Sequence, residues 1–395
     1  MQIVGFRSAR AVEFSPGPVC ALVGGPSVGK SNVLEAIWKL LQGGEPALEP
    51  GDVTHGAAGG SMIELSARLA DGDEVRVEAS PPRSARASGS SIPVLFLPAA
   101  LRSAQLVATP VSGGPARALA ERHFRDGAGA SSAAPATRLV AGVEAMCAEH
   151  VRGLVLLIEE PELFLRPQAQ RYLYRLLRRL AGNGNQVLYS THEPAFLNVG
   201  RLEELALVEH SHRLGTTVTQ PQELGADASF RAISEIDAER GELFLANAVL
   251  LVEGRTEKLT FPLVFTALGH DVDREGITII DCGGKPNIPL FIRICRAAGI
   301  PCVAVHDRDA APGRRPRRSE QALNLEITRL AGPRATVELA PDFEGAVGLA
   351  EGQRHKPAHA FQHFSRIRAE AVPPALRQAV ELVLALTADH PPSAT

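Results

Sequence analysis

Residues 21–41 read ALVGGPSVGKSNVLEAIWKLL, and this stretch governs the architecture of the N-terminal half of the chain. An apolar strand is predicted at Val19–Val23, and a helix is predicted at Asn32–Leu41 because apolar residues recur there at helical spacing. The segment between them is rich in glycine. Glycines give up backbone entropy when a chain folds, so their presence indicates that a ligand uses the exposed backbone of this turn.

The turn fits the pattern G-x-x-x-x-G-K-[ST], in which backbone N–H groups cradle the phosphates of a nucleotide. The candidate nucleotide-binding residues are Gly24, Gly29, Lys30, Ser31 and Asn32. Lys30 would reach the β and γ phosphates, Ser31 would place its hydroxyl on Mg²⁺, and the helix that begins at Asn32 would point its positive end at the same anion. Because a strand precedes the motif and a helix follows it, we favour a phosphate site over an ordinary strand–helix turn.

The composition bounds the class of protein. The chain has 395 residues, enough for two or three domains, and 45% of them are hydrophobic. Its formal net charge of −3 gives no global sign of nucleic-acid binding, so a contact with DNA must come from a local patch. The five cysteines show neither C-x-x-C nor metal-ligand spacing, which suits a reducing cytosol. No signal core or bilayer-length apolar run is visible, so we expect a cytoplasmic protein without membrane partners.

The alternation of strands and helices after the phosphate loop predicts a doubly wound parallel sheet, with ligands at the carboxyl ends of its strands. The apolar run Leu154–Ile158 is typical of a central strand that is buried on both faces. The pattern breaks into polar sequence around residues 223–243, and a second α/β series follows. We therefore predict an N-terminal domain over residues 1–235 and a C-terminal domain over residues 236–395, which ends in a helical extension.

Three polar residues at the ends of apolar strands are candidates for nucleotide hydrolysis in the N-terminal domain. Glu159 and Glu160 follow the strand at Leu154–Ile158, where Glu159 would support Mg²⁺ and Glu160 would polarise the attacking water. His192 ends the next apolar strand and would contact the γ-phosphate. The alternative is a solvated strand end, and the position of the glutamates downstream of a phosphate loop weakens it.

Four acids occupy matching places in the C-terminal domain. Glu253 ends the apolar strand NAVLLV and Glu257 lies in the first turn of the helix after it, while Asp307 and Asp309 end the strand CVAVHD as a D-x-D pair. Residues two apart on a strand face the same way, so both aspartates can point at one site. Oxygen ligands select Mg²⁺ or Mn²⁺, and two such ions could polarise a phosphodiester. The alternative is a pair of acidic strand ends without metal, since acids also suit helix starts.

These residues resemble a known family. The segments GKSNVLEAI, LLIEEPELFLRP and LYSTHEPAFL resemble the ABC-type ATPase head of the OLD (overcoming lysogenization defect) proteins and of their RecF and SMC relatives. The pairing of E-G-x-x-E with D-x-D resembles the Toprim domain, and ERGELFLANAVLLVEGRTEK resembles the OLD linker and Toprim start. The resemblance runs from about Met1 to Lys356. It implies an α/β chain in which an ABC/SMC-like P-loop ATPase domain precedes a Rossmann-like Toprim domain.

The resemblance also implies cofactors, partners and further site residues. ATP would be the nucleotide, Mg²⁺ or Mn²⁺ the metal at the Toprim site, and DNA the substrate of a metal-dependent endonuclease. The chain would form a homo-oligomer through its ATPase heads, each signature loop completing the site of the other subunit, and through its C-terminal domain. The family carries an acid after the D-x-D, for which Glu344 is the best match, and a late lysine near the scissile phosphate, for which Lys356 is the counterpart.

Three departures from the family pattern bear on the ATPase. Pro26 stands where these relatives usually carry asparagine, and Arg166 stands where histidine is common. Where the signature loop is expected, the sequence offers only GASSAAPATRLV, around Ser131 and Ser132. These departures favour ATP binding over efficient hydrolysis.

Several interpretations stay open on the sequence. The turn Gly283–Lys285 could approach a phosphate or be a plain turn, and the basic segment Arg314–Arg318 could contact a DNA backbone or be a solvated loop. The whole chain could be an ATP-regulated DNA endonuclease in phage defence or DNA repair. It could also be a non-nucleolytic clamp or sensor of the RecF/SMC kind, whose second domain only binds DNA or a partner.

Overall fold

The structure is a computed structural model that describes residues 1–42, 46, 48–54, 62–79, 86–88, 92–99, 122, 135–197, 201–222, 224, 239–309, 317–348 and 356–387. The chain divides into two compact units, Met1–Pro221 and Gln222–Thr395. The predicted boundary at residues 235–236 lies outside the described residues. Among the described helices, none is both long and apolar enough to cross a bilayer.

The first unit is built on one sheet of eleven described strands. These are β1 (Gln2–Phe6), β2 (Ala9–Glu13), β3 (Val19–Val23), β4 (Ile63–Arg68), β5 (Glu74–Ala79), β6 (Arg86–Ser88), β7 (Val94–Leu97), β8 (Val155–Glu159), β9 (Gln186–Thr191), β10 (Leu205–Ser211) and β11 (Gly215–Thr219). Their order across the sheet is β6-β5-β4-β1-β2-β11-β10-β3-β9-β8-β7. The described helices of this unit are α1 (Lys30–Leu41), α2 (Pro135–Ala148) and α3 (Pro167–Gly182).

The parallel part of this sheet positions the candidate ATPase residues. The strands β10, β3, β9, β8 and β7 form a block that is parallel throughout, as the sequence predicts for a doubly wound sheet. The remaining strands extend it through antiparallel pairs, because tight turns such as Asp71-Gly72 can join only antiparallel strands. The parallel block therefore brings the carboxyl ends of β3, β9 and β8 to one edge.

Helix α1 forms because its apolar residues fall on one face. Val33, Leu34 and Ile37 are fully buried, and they belong to the same apolar core as Leu22 of β3 and Leu188 of β9. The helix begins at Lys30, two residues before the predicted start. The lysine and serine of the glycine-rich turn therefore lie in the first helical turn, beneath the positive end of the helix dipole.

The second unit is a smaller parallel sheet covered by helices. Its strands are β12 (Ala248–Val252), β13 (Ile277–Asp281), β14 (Cys302–Asp307) and β15 (Thr336–Leu339), in the order β13-β12-β14-β15. Its described helices are α4 (Arg255–Ala267), α5 (Ile288–Ala298), α6 (Arg318–Ala331), α7 (Phe343–Val347), α8 (Lys356–Phe364) and α9 (Pro374–Thr387). All five residues of β12 are buried, as expected for a central parallel strand. The carboxyl ends of β12 and β14 are neighbours, so the acids that follow them share one edge.

Candidate functional sites

The glycine-rich loop between β3 and α1 has the geometry of an anion site. The ammonium of Lys30 is buried, and it donates hydrogen bonds to the carbonyl oxygens of Gly24 at 2.7 Å and Gly25 at 2.6 Å. Burial lowers the pKa of Lys30, while the negative charges of Glu160 and Glu162 act to raise it. Helix α1 carries no side-chain cap at Gly29 and no acid in its first turn. A buried cation beneath an uncapped helix start fits the phosphates of a nucleotide.

Two neighbouring strands, β10 and β11, leave no room for a side chain at Gly24 and Gly29 of the loop. Gly29 has φ of 103°, and a Cβ there would lie 2.2 Å from Oγ1 of Thr216 on β11. A Cβ at Gly24 would lie 2.2 Å from the carbonyl oxygen of Val208 on β10. The Thr216 hydroxyl donates to the carbonyl of Val28 at 2.8 Å. Close packing therefore requires glycine at both positions, and at Gly29 the backbone conformation requires it as well.

The first helical residues after Lys30 differ in their surroundings. Ser31 is exposed, so its hydroxyl is open to a ligand of the loop. The amide nitrogen of Asn32 donates to the hydroxyl of Ser8 in the turn between β1 and β2, at 2.6 Å. Asn32 thus ties the start of α1 to the first hairpin, and its assignment as a nucleotide-binding residue stays a prediction.

The predicted glutamates stand at the end of β8, across β9 from the phosphate loop. Glu159 is the last residue of β8, and its Oε2 accepts a hydrogen bond from the backbone N–H of Ala99 at 2.9 Å. Glu160 adopts a positive φ of 42°, and its N–H donates to the carbonyl oxygen of Ser190 on β9 at 3.0 Å. The left-handed backbone comes directly after the last residue of β8, so strand alternation does not predict the direction of the Glu160 side chain.

His192 lies beside two acids, one of which the sequence analysis left without a function. Its Nδ1 is 3.7 Å from Oε1 of Glu160 and 3.7 Å from Oε1 of Glu162. Glu162 is buried, and its Oε1 accepts hydrogen bonds from the Thr191 hydroxyl at 2.8 Å and from the His192 N–H at 3.2 Å. Burial raises the pKa of Glu162. Its sequence signal is a third acid two residues after Glu160, beyond Pro161.

In the second unit, the ends of β12 and β14 are joined by a side chain. Oε1 of Glu253 accepts a hydrogen bond from the backbone N–H of Asp307 at 2.7 Å. Glu257, one turn into α4, is buried. Burial, followed by the neighbouring carboxylates of Glu253 and Glu344, raises the pKa of Glu257 to about 7. The predicted acids of β12 and α4 therefore lie close enough to act on one another electrostatically.

Among the acids of this cluster, Asp307 has the surroundings that most favour a bound cation. Its Oδ1 is buried and has no hydrogen-bond partner. Burial, followed by the charges of Glu253, Glu257, Asp309 and Asp342, raises the pKa of Asp307 to about 8. Buried carboxylates in such a cluster are costly unless a cation neutralises them, so the residues fit a divalent metal.

The cluster is nevertheless not arranged as a finished metal site. Among the residues that the structure describes, no three histidine, cysteine, aspartate or glutamate side chains stand ready to hold one ion. Asp309 differs from the expectation for a strand, because β14 ends at Asp307 and Asp309 has a left-handed φ of 55°. The alternation argument therefore does not reach Asp309, whose Oδ2 is engaged by Lys285 at 2.7 Å.

The sequence left the interpretation of Lys285 open, and the structure places it inside the cluster. Its side chain is buried, and its Nζ donates to the carbonyl oxygen of Asp307 at 2.5 Å as well as to Asp309. The signal in the sequence is the pair Gly283-Gly284 before it, which adopts φ of 70° and 119°. Such a turn can direct the next side chain back toward the neighbouring strands.

Of the remaining predicted residues, the structure describes Glu344 in full and Lys356 by its backbone alone. Glu344 lies on α7 and is near enough to Glu257 to act on its pKa. Lys356 begins α8, but its side chain lies outside the described residues. Ser131, Ser132, Arg314 and Arg315 lie entirely outside the described residues.

Comparison with known proteins relates both parts of the chain to known domains. Residues 244–309 match the family model described as "Overcoming lysogenization defect protein-like, TOPRIM domain". Residues 134–198 match the model described as "AAA domain, putative AbiEii toxin, Type IV TA system". Together with the parallel strands of both sheets, these matches confirm the predicted fold class, an α/β chain in which a P-loop ATPase domain precedes a Toprim domain.

Two curated relatives are named as nucleases of the OLD kind. The chain is 34% identical over 251 residues to the OLD nuclease of Thermus scotoductus, covering 59% of this chain and 48% of that protein. It is 29% identical over 162 residues to the Old nuclease of Escherichia phage P2, covering 39% of this chain and 28% of the relative. The predicted resemblance to OLD proteins is thereby confirmed. The chain spans about half the length of the first relative and less than a third of the second.

Solved structures give similar local matches. The C-terminal region of the Burkholderia pseudomallei OLD protein aligns with 36% of this chain and 98% of its own, at 17% identity and a TM-score of 0.31. The SMC head domain from Thermotoga maritima aligns with 56% of this chain and 98% of its own, at 14% identity and a TM-score of 0.38.

Proposed function

We propose that this chain, which resembles OLD nucleases, binds ATP at the loop Gly24–Ser31 and cuts DNA at the acidic cluster of its second unit. The surroundings of Asp307 are the observation that most supports the nuclease part of this proposal. One oxygen of the Asp307 carboxylate, Oδ1, is buried without a hydrogen-bond partner, and the neighbouring acids repel its charge, so it calls for a cation. A nuclease that uses divalent metal supplies that cation and a reason for the cost of burying the acids.

The acidic cluster has the chemistry for phosphodiester hydrolysis. Glu253, Glu257 and Asp307 would hold Mg²⁺ or Mn²⁺, with Asp309 and Glu344 as further ligands, since hard cations prefer carboxylate oxygens. When bound, such ions polarise a phosphoryl oxygen and make water a better nucleophile. The chain's own contribution is to fix the carboxylates: the Asp307 N–H holds Glu253, and α4 carries Glu257. Lys356 would contact the scissile phosphate.

The first unit has the residues for nucleotide binding and slow hydrolysis. Lys30 would exchange its two loop carbonyls for phosphate oxygens, and Ser31 with Glu159 would hold Mg²⁺. Glu160 would orient the attacking water, and His192, held between Glu160 and Glu162, would contact the γ-phosphate. The energy of each contact depends on the charge of the phosphates, so ADP should bind more weakly than ATP.

The proposal extends to partners and location. DNA would lie across the acidic edge of the second unit, with Arg317 and Arg318 near the backbone phosphates. Two copies of the chain would pair through their ATPase heads, and the C-terminal domain would add contacts. The protein would act in the cytoplasm, in phage defence or DNA repair, in keeping with cysteines that are all free thiols in the structure.

The nuclease activity is tested by nicking of supercoiled plasmid with Mg²⁺ and with Mn²⁺, each with and without ATP. We expect metal-dependent nicking by the unchanged protein and at least about a hundredfold loss in Glu253→Ala, since removing a metal ligand removes the polarised phosphoryl. Glu381→Ala, which changes an exposed glutamate of α9, should cut normally. Nicking that survives Glu253→Ala would reject the assignment.

ATP binding is tested separately, with a fluorescent ATP analogue. Lys30→Met should weaken binding by about thirtyfold, the loss of roughly 2 kcal/mol expected for a charge-assisted hydrogen bond. Lys39→Met removes another lysine of α1, one that pairs with Asp52 at 3.3 Å, and should lower stability without weakening ATP binding. ATP binding without any nicking would favour the non-nucleolytic clamp over the nuclease.

A further inference from the structure

Lys285 is a buried cation in a turn that, on the sequence, could approach a phosphate or be a plain turn. Lys285 is only 4% exposed. Lysine is almost never fully buried unless it is paired. The Nζ of Lys285 donates to the carbonyl oxygen of Asp307 and to Oδ2 of Asp309, and it lies 3.7 Å from Oε2 of Glu320 on α6. The ammonium therefore supplies positive charge to the segment that the D-x-D pair occupies.

The turn that carries Lys285 is anchored to both neighbouring strands. The N–H of Gly284 donates to the carbonyl oxygen of Glu253 at 2.7 Å, at the end of β12. The side chain of Asn287 donates to the carbonyl oxygen of Cys282 at 3.0 Å, just after β13. Because these hydrogen bonds fix the backbone at both strand ends, the conformation of the turn directs the lysine at Asp307 and Asp309.

The position of Lys285 explains why the cluster lacks a ready-made ligand set. One oxygen of Asp309 is already engaged by the ammonium, so a divalent ion has to compete for it. Asp309 has open space around it, since its side chain is 43% exposed and it lies beyond the end of β14. Lys285 in contrast is buried and anchored.

We propose that Lys285 is a resident counter-cation of the acidic cluster, which holds Asp309 in the absence of divalent metal and releases it when an ion binds. Lys285 is a positioning residue and not a metal ligand, and it sets how tightly the cluster binds metal. This inference rests on the proposed metal site. Its new element is that a metal ion has to displace the Lys285 ammonium from Asp309 before it can bind that carboxylate.

Metal binding to purified variants tests the proposal. Mn²⁺ is titrated into EDTA-treated protein, and free Mn²⁺ is followed by electron paramagnetic resonance. Lys285→Met should bind Mn²⁺ about tenfold more tightly than the unchanged protein, which corresponds to about 1.4 kcal/mol. Lys258→Met is the matched control, because Lys258 lies in the same unit and pairs with Glu239 at an exposed position. It should bind as the unchanged protein does.

A second pair of variants separates two effects of Lys285: its hold on Asp309, which the metal has to displace, and the general repulsion between its charge and the metal. If Lys285 weakens metal binding by holding Asp309, then Lys285→Met should give no gain in an Asp309→Asn background. An equal gain in both backgrounds would overturn the proposal, as would an unchanged or weaker affinity in Lys285→Met alone. No Mn²⁺ binding by the unchanged protein would remove the proposed metal site itself, and the inference with it.

A measurement on the unchanged protein covers the case in which Lys285→Met does not fold. Lysines are acetylated with acetic anhydride in EDTA and in Mn²⁺, and each site is quantified by mass spectrometry. Lys285 should be protected in EDTA and react several-fold faster in Mn²⁺, because its partner Asp309 has turned to the metal. Lys258 should react equally in both. Bound Mn²⁺ without any change at Lys285 would contradict the proposal.

Discussion

The carboxylate of Glu253 accepts a hydrogen bond from the backbone N–H of Asp307 at 2.7 Å. This bond crosses from the end of β12 to the end of β14, two neighbouring parallel strands. It keeps the Glu253 side chain beside Asp307, although both residues are acidic and half-buried. A protein gains nothing in stability from bringing two carboxylates together in this way, so the arrangement points to a cation as the reason for it.

The stability of the metal-free protein should fall as the pH rises from about 4 to about 8. In the unfolded chain Asp307 and Glu257 titrate near pH 4, whereas burial raises their pKa values to about 8 and about 7 in the folded chain. Between these limits the folded state binds more protons than the unfolded state, so the free energy of unfolding decreases with pH. The slope reaches about 1.4 kcal/mol per pH unit for each group.

Urea unfolding in EDTA at several pH values measures this effect. Asp307→Asn removes one of the two groups, so its stability relative to the unchanged protein should rise between pH 4 and pH 8. Asp273→Asn, an exposed aspartate of the same unit, should follow the unchanged protein. If the difference in the free energy of unfolding between Asp307→Asn and the unchanged protein does not vary with pH, then the pKa of Asp307 is not raised in the folded protein.

Gly29→Ala should destabilise the first unit more than Gly72→Ala, although both glycines have positive φ. At Gly72, with φ of 94°, a Cβ would meet nothing within 4 Å, so only the backbone cost of about 1–2 kcal/mol is expected. At Gly29 a Cβ would also collide with Thr216, which adds about 1–3 kcal/mol for overpacking. Thermal unfolding gives the ranking. Equal losses at the two positions would mean that β11 does not support the phosphate loop.

Glu162→Ala should slow ATP hydrolysis and lower stability by about 1–3 kcal/mol, because the Thr191 hydroxyl and the His192 N–H lose their buried acceptor. Glu162→Gln should behave almost like the unchanged protein, since a carboxamide oxygen can replace Oε1 and the other carboxylate oxygen has no partner. Steady-state ATPase assays and urea unfolding measure both effects.

Glu203→Ala, which removes an exposed glutamate of the same unit, is the control and should leave ATPase activity and stability within error. The two Glu162 variants separate the charge of this side chain from its role as a hydrogen-bond acceptor. A loss in Glu162→Gln as large as in Glu162→Ala would indicate that the charge of Glu162, and not its acceptor, is what the site requires.

The sequence alone predicts the parallel strands well because their signal is local. Val19–Val23 is a strand at the predicted bounds, and the buried strand at β8 differs from its prediction by one residue at each end. Continuous apolar runs of this length have few other uses in a soluble α/β fold. The positions of the acids at strand ends follow directly, which is why Glu159, Glu253 and Asp307 could be singled out.

What the sequence did not predict depends on contacts between distant segments. Thr216 supports the phosphate loop from β11, and nothing near residue 216 in the sequence points to Gly29. Lys285 and Glu162 are single charged residues in turns, where most such residues are solvated. Their burial arises only when β12, β13 and β14, or β8 and β9, are brought side by side.

The proposed nuclease activity depends on divalent metal at the acidic cluster, and calorimetric titration of Mn²⁺ into metal-free protein tests this directly. The unchanged protein should bind Mn²⁺ with a saturable heat, and Asp307→Asn should bind at least about tenfold more weakly, a loss of about 1.4 kcal/mol. Equal binding by the two proteins, or no binding by the unchanged protein, would contradict the assignment of Glu253, Glu257 and Asp307 as a metal site.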